Sequence, residues 1–172
     1  MRPIISVGVS ACLLGQRVRY DGAHQAHAYV LSQLSQRFKL KPICPEVAIG
    51  LGVPRPPIQL VGSLQNPEAV GKTDRSLNPS HALRALGKDV AQTWVDVCGF
   101  VVKSRSPSCG LGSTKVLVGD EVIRAGTGLF TAQLCQYSPV PVIEETGLEN
   151  VTARRAFIAQ VFQCYRANRQ QK

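Results

Sequence analysis

An α/β fold in a single domain is the class this sequence predicts, built on a mostly parallel, Rossmann-like sheet flanked by helices. Short β-branched runs alternate with amphipathic helical patterns in the order β-α-β-loop-α-β-hairpin-α-β-α, which lays strands parallel and covers them with helices. The 172 residues suit one domain, 1–172, with a core over about residues 4–145 and a C-terminal helix over about 150–168. The composition is that of a folded chain: 44% of residues are hydrophobic and 18% are charged, against a usual ~25% charged.

The elements follow from local pattern. Ile4-Ile5-Ser6-Val7-Gly8-Val9 is a short, apolar, β-branched run and reads as a buried strand. Asp21-Gly22 opens a helix on which His27, Val30, Leu31, Leu34 and Phe38 recur at helical spacing. Lys39–Ile43 reads as a second strand, weakened by Pro42, which lacks a ladder donor. Residues 45–77 are rich in proline and glycine and read as a long loop, which in a compact domain marks function or motion. Asn78 then caps a helix with Pro79 at its first position, and Leu83, Leu86, Val90, Trp94 and Val97 keep its apolar stripe to its end. Val97–Val102 is a third strand. Val116–Val118 and Val122–Ile123 flank Gly119-Asp120-Glu121 as a hairpin insertion. Thr127 caps a short helix through Leu134, Pro141–Glu144 forms a further strand, and Asn150 opens the last helix with Phe157, Val161 and Cys164 on one face.

Charge and hydropathy exclude several classes. No apolar run approaches the ~18 residues that span a bilayer, and Gly8 and Ser10 follow Met1-Arg2-Pro3 too soon for a secretory leader. The expectation is a cytoplasmic protein with no membrane partner. The net charge is +9, and part of it sits in the tail, where Arg154, Arg155, Arg166, Arg169 and Lys172 fall on or after the terminal helix. Such a face is solvated or attracts an anion. Aromatic residues are only 6% and do not interleave with the basic ones, which argues against a nucleic-acid partner.

Six cysteines are present and none forms a C-x-x-C pair. Sites in open parallel sheets form beyond the carboxyl ends of the strands. The first strand exits into Ser10-Ala11-Cys12, the second into Cys44-Pro45-Glu46, and the third into Lys103-Ser104-Arg105-Ser106-Pro107-Ser108-Cys109. Cys12, Cys44 and Cys109 therefore share one sheet edge. Cys98 enters its strand at the opposite edge, and Cys135 and Cys164 lie on helices, as core thiols do. Three converging thiolates suggest a metal site with one position open. Structural zinc wants four ligands, and His24, His27 or His81 would supply the fourth, His24 being the better placed in its loop. A 4Fe-4S cluster held by three thiolates would instead leave one iron free. Spacing does not choose between the two.

The segments Ser10-Ala11-Cys12-Leu13-Leu14-Gly15, Arg19-Tyr20-Asp21-Gly22, Cys44-Pro45-Glu46 and Ser106-Pro107-Ser108-Cys109-Gly110 resemble the thiouracil desulfidase family, over about residues 4–145. The resemblance implies a 4Fe-4S cluster on Cys12, Cys44 and Cys109 with one iron lacking a protein ligand. It also implies non-redox conversion of C=S to C=O, with release of sulfide, on a thiolated uracil base or nucleotide such as thiouridine monophosphate. Glu46 would be the acidic catalytic residue, assisted by a serine of the 104–108 segment, with Ser106 matching the family pattern better than Ser104. Glu46 is close enough to Cys44 to serve as general base and then proton donor. Its alternative role is that of a loop carboxylate paired with a nearby arginine.

Substrate contacts rest on weaker pattern. The hydroxyls and amides of Ser106–Ser113, Ser108 among them, offer an anion nest. Arg19, Arg55, Lys72 and Arg105 are the nearest cationic candidates, and Tyr20 could stack on a pyrimidine. Two other functions compete. One is a cluster-free sulfur carrier with Cys109 as nucleophile, its thiol acidified by Arg105 and the neighbouring amides. The other is a zinc-stabilised nucleic-acid-binding module using the basic terminal helix.

Overall fold

The computed structural model describes residues 4–170. Met1, Arg2 and Pro3, where the secretory leader was sought, and Lys172 of the basic tail lie outside the described residues. The first sheet is fully parallel, in the order β2-β1-β5-β8, with β1 at Ser6–Ser10, β2 at Lys39–Ile43, β5 at Val97–Val102 and β8 at Val142–Glu144. Every residue of β1 and β5 is buried, as central strands covered on both faces must be. Pro42 is tolerated because β2 is an edge strand. Gly8 is required in β1, since a Cβ there would lie 2.2 Å from the ring of Phe100 on β5.

A π-helical segment, Val30–Leu34, runs into α1 (Ser35–Arg37), and α5 (Val151–Gln170) packs on the same side of this sheet. Val7, Val9, Val30, Leu34, Val101, Phe157 and Val161 form the core between them. α3 (Ser80–Thr93) and α4 (Leu129–Tyr137) pack on the other side, burying Val90, Phe130 and Leu134 against Phe100 and Val102. Asn150 caps α5 as the sequence predicts, its Oδ1 accepting the Ala153 amide at 3.0 Å.

Four expectations are corrected. The helix does not open at Asp21-Gly22: Asp21 Oδ1 accepts the amide of Ala23 at 3.0 Å and closes a turn instead. Leu31, placed on the apolar stripe, is 44% exposed because π-helical winding rotates it off that face. Residues 45–77 are not a loop. They hold the one-turn helix α2 (Pro45–Ala48) and the antiparallel pair β3 (Ile58–Gly62) and β4 (Pro67–Gly71). The expected hairpin, β6 (Thr114–Val118) with β7 (Glu121–Gly126), joins them in a second sheet, ordered β4-β3-β6-β7. This sheet packs Ile58, Leu60 and Val116 on Leu83 of α3 and Leu129 of α4. The caps of α3 and α4 shift by one residue, to Pro79 and Gly128. Thr127 instead accepts the Gly112 amide at 3.2 Å.

Candidate active site

The carboxyl ends of β1, β2 and β5 open into a cavity of about 870 Å³ whose other wall is the second sheet. Cys12, Cys44 and Cys109 all line it. Each is delivered by a strand exit. β1 ends in a one-turn 3-10 helix, Ala11–Leu14, that carries Cys12. β2 leads directly into Cys44, which caps α2 and leaves Pro45 at its first position. β5 ends in the loop that reaches Cys109. Cys12 and Cys109 both sense Cys44. Burial and then the neighbouring Cys44 push the Cys12 thiol up to about 11. Burial, followed by Cys44 and Cys12, raises Cys109 further, although Ser10 opposes it. Burial also raises Cys44, against the amides of Val47 and Glu46 and the charge of Arg55.

Glu46, on the turn after Cys44, is 8% exposed and fully engaged. Arg55 donates its Nε to Oε2 at 2.7 Å, and Ser108 donates its hydroxyl to Oε1 at 2.7 Å. Arg55 is itself held by Nη1 bonds of 2.9 Å to the carbonyls of Val18 and Gly52, and its Nη2 lies 3.9 Å from the Cys44 sulfur. The guanidinium that the sequence offered to an anion thus clamps Glu46 and Cys44. The serine that meets the carboxylate is Ser108, not Ser106 or Ser104. Ser106 Oγ accepts the amides of Ser108 and Cys109, at 3.2 and 3.1 Å, and so shapes the loop. Ser104 lines the cavity while donating to Glu145 Oε1 at 2.8 Å.

The Cys109 loop is held from three sides. At the end of β8, Glu144 Oε1 accepts the Leu111 amide at 2.7 Å and the hydroxyl of Ser113. Glu145 accepts the Ser104 amide at 2.6 Å and the ammonium of Lys103. The first amides of α4 donate to loop carbonyls, Leu129 to Pro107 at 3.0 Å and Phe130 to Ser108 at 3.1 Å, which satisfies helix-end donors that otherwise lack partners. This close approach requires Gly128, where a Cβ would sit 2.3 Å from the carbonyl carbon of Ser108. The amides of Ser108, Cys109, Gly110, Leu111 and Gly112 all have acceptors inside the protein. They therefore form no anion nest, contrary to expectation.

Arg19, Lys72 and Arg105 line the cavity, with Tyr20 beside Arg19. Arg105 has a positive φ of 60°, and its amide donates a hydrogen bond to Ser113 Oγ at 2.7 Å. Sequence reasoning missed three further lysines and arginines: Lys103, Lys115 and Arg124. The last two are direct partners across the β6–β7 pair. Alternation along the hairpin could have found them, since both stand on the face opposite to buried Val116.

The donor set fits an iron–sulfur cluster better than a zinc ion. No His lines the cavity. His24 takes the amide of Ala26 on Nδ1 beside a separate surface hollow, His27 faces Glu149, and His81 is exposed. Three thiols on one roomy cavity instead match a cubane, whose protein ligands bind three different irons.

Comparison with known proteins agrees. The model of the 2-thiouracil desulfurase family matches residues 7–146. The uncharacterized protein YbbK of Bacillus subtilis (strain 168) is 26% identical over 159 residues, covering 83% of this chain and 97% of YbbK. A solved structure described as the 4Fe-4S-dependent thiouracil desulfidase TudS superposes with a TM-score of 0.66 at 31% identity, over 88% of this chain and 98% of that one. With the family model spanning both sheets, the three cysteines and Glu46, the chain belongs to the 2-thiouracil desulfurase family.

Proposed function

We propose that this chain is a desulfidase in which Cys12, Cys44 and Cys109 hold a 4Fe-4S cluster with one iron free of protein ligands. The reaction would convert C=S to C=O on a thiolated uracil compound, consuming water and releasing sulfide without net redox change. The observation that carries this reading is the delivery of three cysteines, by three parallel strand exits, to a cavity they share with one buried carboxylate. When bound, the cluster supplies a soft Lewis acid for the thiocarbonyl sulfur.

The chain's own groups supply the rest. Glu46 takes a proton from the attacking water at Oε1 and later returns it to the leaving sulfur. Ser108, already on Oε1, relays or aligns that proton, while Arg55 on Oε2 keeps the carboxylate in one orientation. The low exposure of Glu46 and Ser108 keeps bulk water off the carboxylate and its serine.

The cationic wall favours a phosphorylated substrate such as thiouridine monophosphate over the free base. Lys115 and Arg124 are like charges set directly opposite each other on an antiparallel pair, an arrangement that costs stability unless an anion answers it. Tyr20, 42% exposed at the cavity, would cover a pyrimidine ring. The sulfur-carrier reading is disfavoured because the amides that would acidify Cys109 bond acceptors inside the protein, and burial raises its thiol instead.

Sulfide release from thiouracil and from thiouridine monophosphate by anaerobically reconstituted protein tests the proposal. Release should require iron and be faster with the monophosphate. Activity in iron-free protein would contradict it.

A further inference from the structure

A second cysteine cluster lies at the opposite edge of the first sheet from the cavity. Cys98 is the second residue of β5 and Cys164 is on α5. Asn168, one turn beyond Cys164, places its Nδ2 3.9 Å from the Cys98 sulfur and 3.8 Å from the Cys164 sulfur. A single donor thus touches both thiols.

Their approach is built into the strand. β1 and β5 fall out of register between Ser6 and Gly8: two steps on β1, Ser6 to Gly8, match three on β5, Val97 to Phe100. The extra residue is a bulge at Cys98-Gly99, which re-aims side chains. It turns this stretch toward α5, where a Cβ on Gly99 would lie 2.7 Å from Val161. Cys98 is 1% exposed, and Cys164 is half-buried in the same apolar cluster. Burial, and next the neighbouring Cys164, push the Cys98 thiol up to about 12.

We propose that Cys98 and Cys164 form a thiol–disulfide modification site, oxidised by low-molecular-weight disulfides such as oxidised glutathione and separate from the three cavity cysteines. Cys164, the more accessible, attacks first. Its sulfur bonds to one glutathione, the other leaves as a thiolate, and a mixed disulfide results. Cys98 then attacks the Cys164 sulfur and expels the second glutathione. Two thiols and one glutathione disulfide become one protein disulfide and two reduced glutathiones, and both protein protons pass to the departing thiolates. Burial of Cys98 makes the second step the slower one. The product would tie α5 covalently to the central strand of the sheet.

Peptide mapping of the whole chain tests this without disturbing the cavity. The protein is incubated with oxidised glutathione, its remaining thiols are alkylated, and it is digested with trypsin. The expected product is Asp89–Lys103 linked to Ala156–Arg166, lost on treatment with dithiothreitol and absent in Cys164→Ser. Free thiols at both positions after prolonged oxidation would overturn the proposal. So would a glutathione adduct that stops on Cys164, or linkage of Cys98 or Cys164 to any other cysteine.

Discussion

Ser108 donates its hydroxyl to Glu46 Oε1 at 2.7 Å across 62 positions of sequence, with both residues below one-tenth exposed. The bond joins the loop that carries Cys109 to the turn that follows Cys44. It makes the carboxylate and two of the three candidate cluster ligands one mechanical unit. It also distinguishes the serines: Ser108 touches the carboxylate, Ser106 shapes the loop, and Ser104 belongs to the Glu145 network.

Glu46→Gln should bind iron normally and lose most sulfide release, in the range of ~10²–10⁴-fold for a general acid–base group. Ser108→Ala should lower kcat by less, because Glu46 keeps its bond to Arg55. Ser104→Ala should leave kcat nearly unchanged. Iron analysis and steady-state kinetics on the three variants check this. Full activity in Glu46→Gln would remove that residue from the mechanism.

Arg55→Met leaves a buried carboxylate without its ion-pair partner and strips donors from the carbonyls of Val18 and Gly52. Breaking a buried pair by removing one member costs about 3–5 kcal/mol. Denaturant melts should show a loss of this size. Surface arginines such as Arg155 should cost within about 0.5 kcal/mol.

Glu145 sets a pH dependence. Burial alone would raise its carboxyl, but bonds from Lys103 and from the amide and hydroxyl of Ser104 outweigh burial and hold it below the usual glutamate range. A depressed folded pKa means stability that is fully present above the unfolded value of about 4.3 and lost as pH falls through the folded value. Wild type should therefore exceed Glu145→Gln in stability near neutral pH, and the gap should close on acidification below about pH 4. Denaturation midpoints across that range measure it. A gap independent of pH would rule out the ionised contact as its source.

Lys115→Ala and Arg124→Ala should raise KM for thiouridine monophosphate about tenfold or more, the loss of one charge-assisted contact. Neither should change kcat/KM for free thiouracil. Equal effects on both substrates would assign these residues to the scaffold.

The strands that deliver Cys12, Cys44 and Cys109 were legible as short runs, and each exit carries one cysteine, at two, one and seven residues past the strand end. One edge of a parallel sheet then followed from topology. The pair β3–β4 was hidden by its flanking prolines and by Pro67, which opens β4 where a missing amide does least harm. Arg55 had no local mark separating an anion-binding cation from a partner of Glu46, nine residues away. The grip of Glu145 on Lys103 and Ser104 spans more than forty residues and leaves no spacing signal. The bulge at Cys98-Gly99 exists only as a register shift against β1.

Iron and acid-labile sulfide per chain, measured after anaerobic reconstitution of wild type and of six single Cys→Ala variants, test the central claim most directly. About four irons should bind wild type, Cys98→Ala, Cys135→Ala and Cys164→Ala. Cys12→Ala, Cys44→Ala and Cys109→Ala should retain no stable cluster yet remain folded on their own core. Iron retained in all three of those variants, or lost on replacing Cys98, Cys135 or Cys164 instead, would contradict the account.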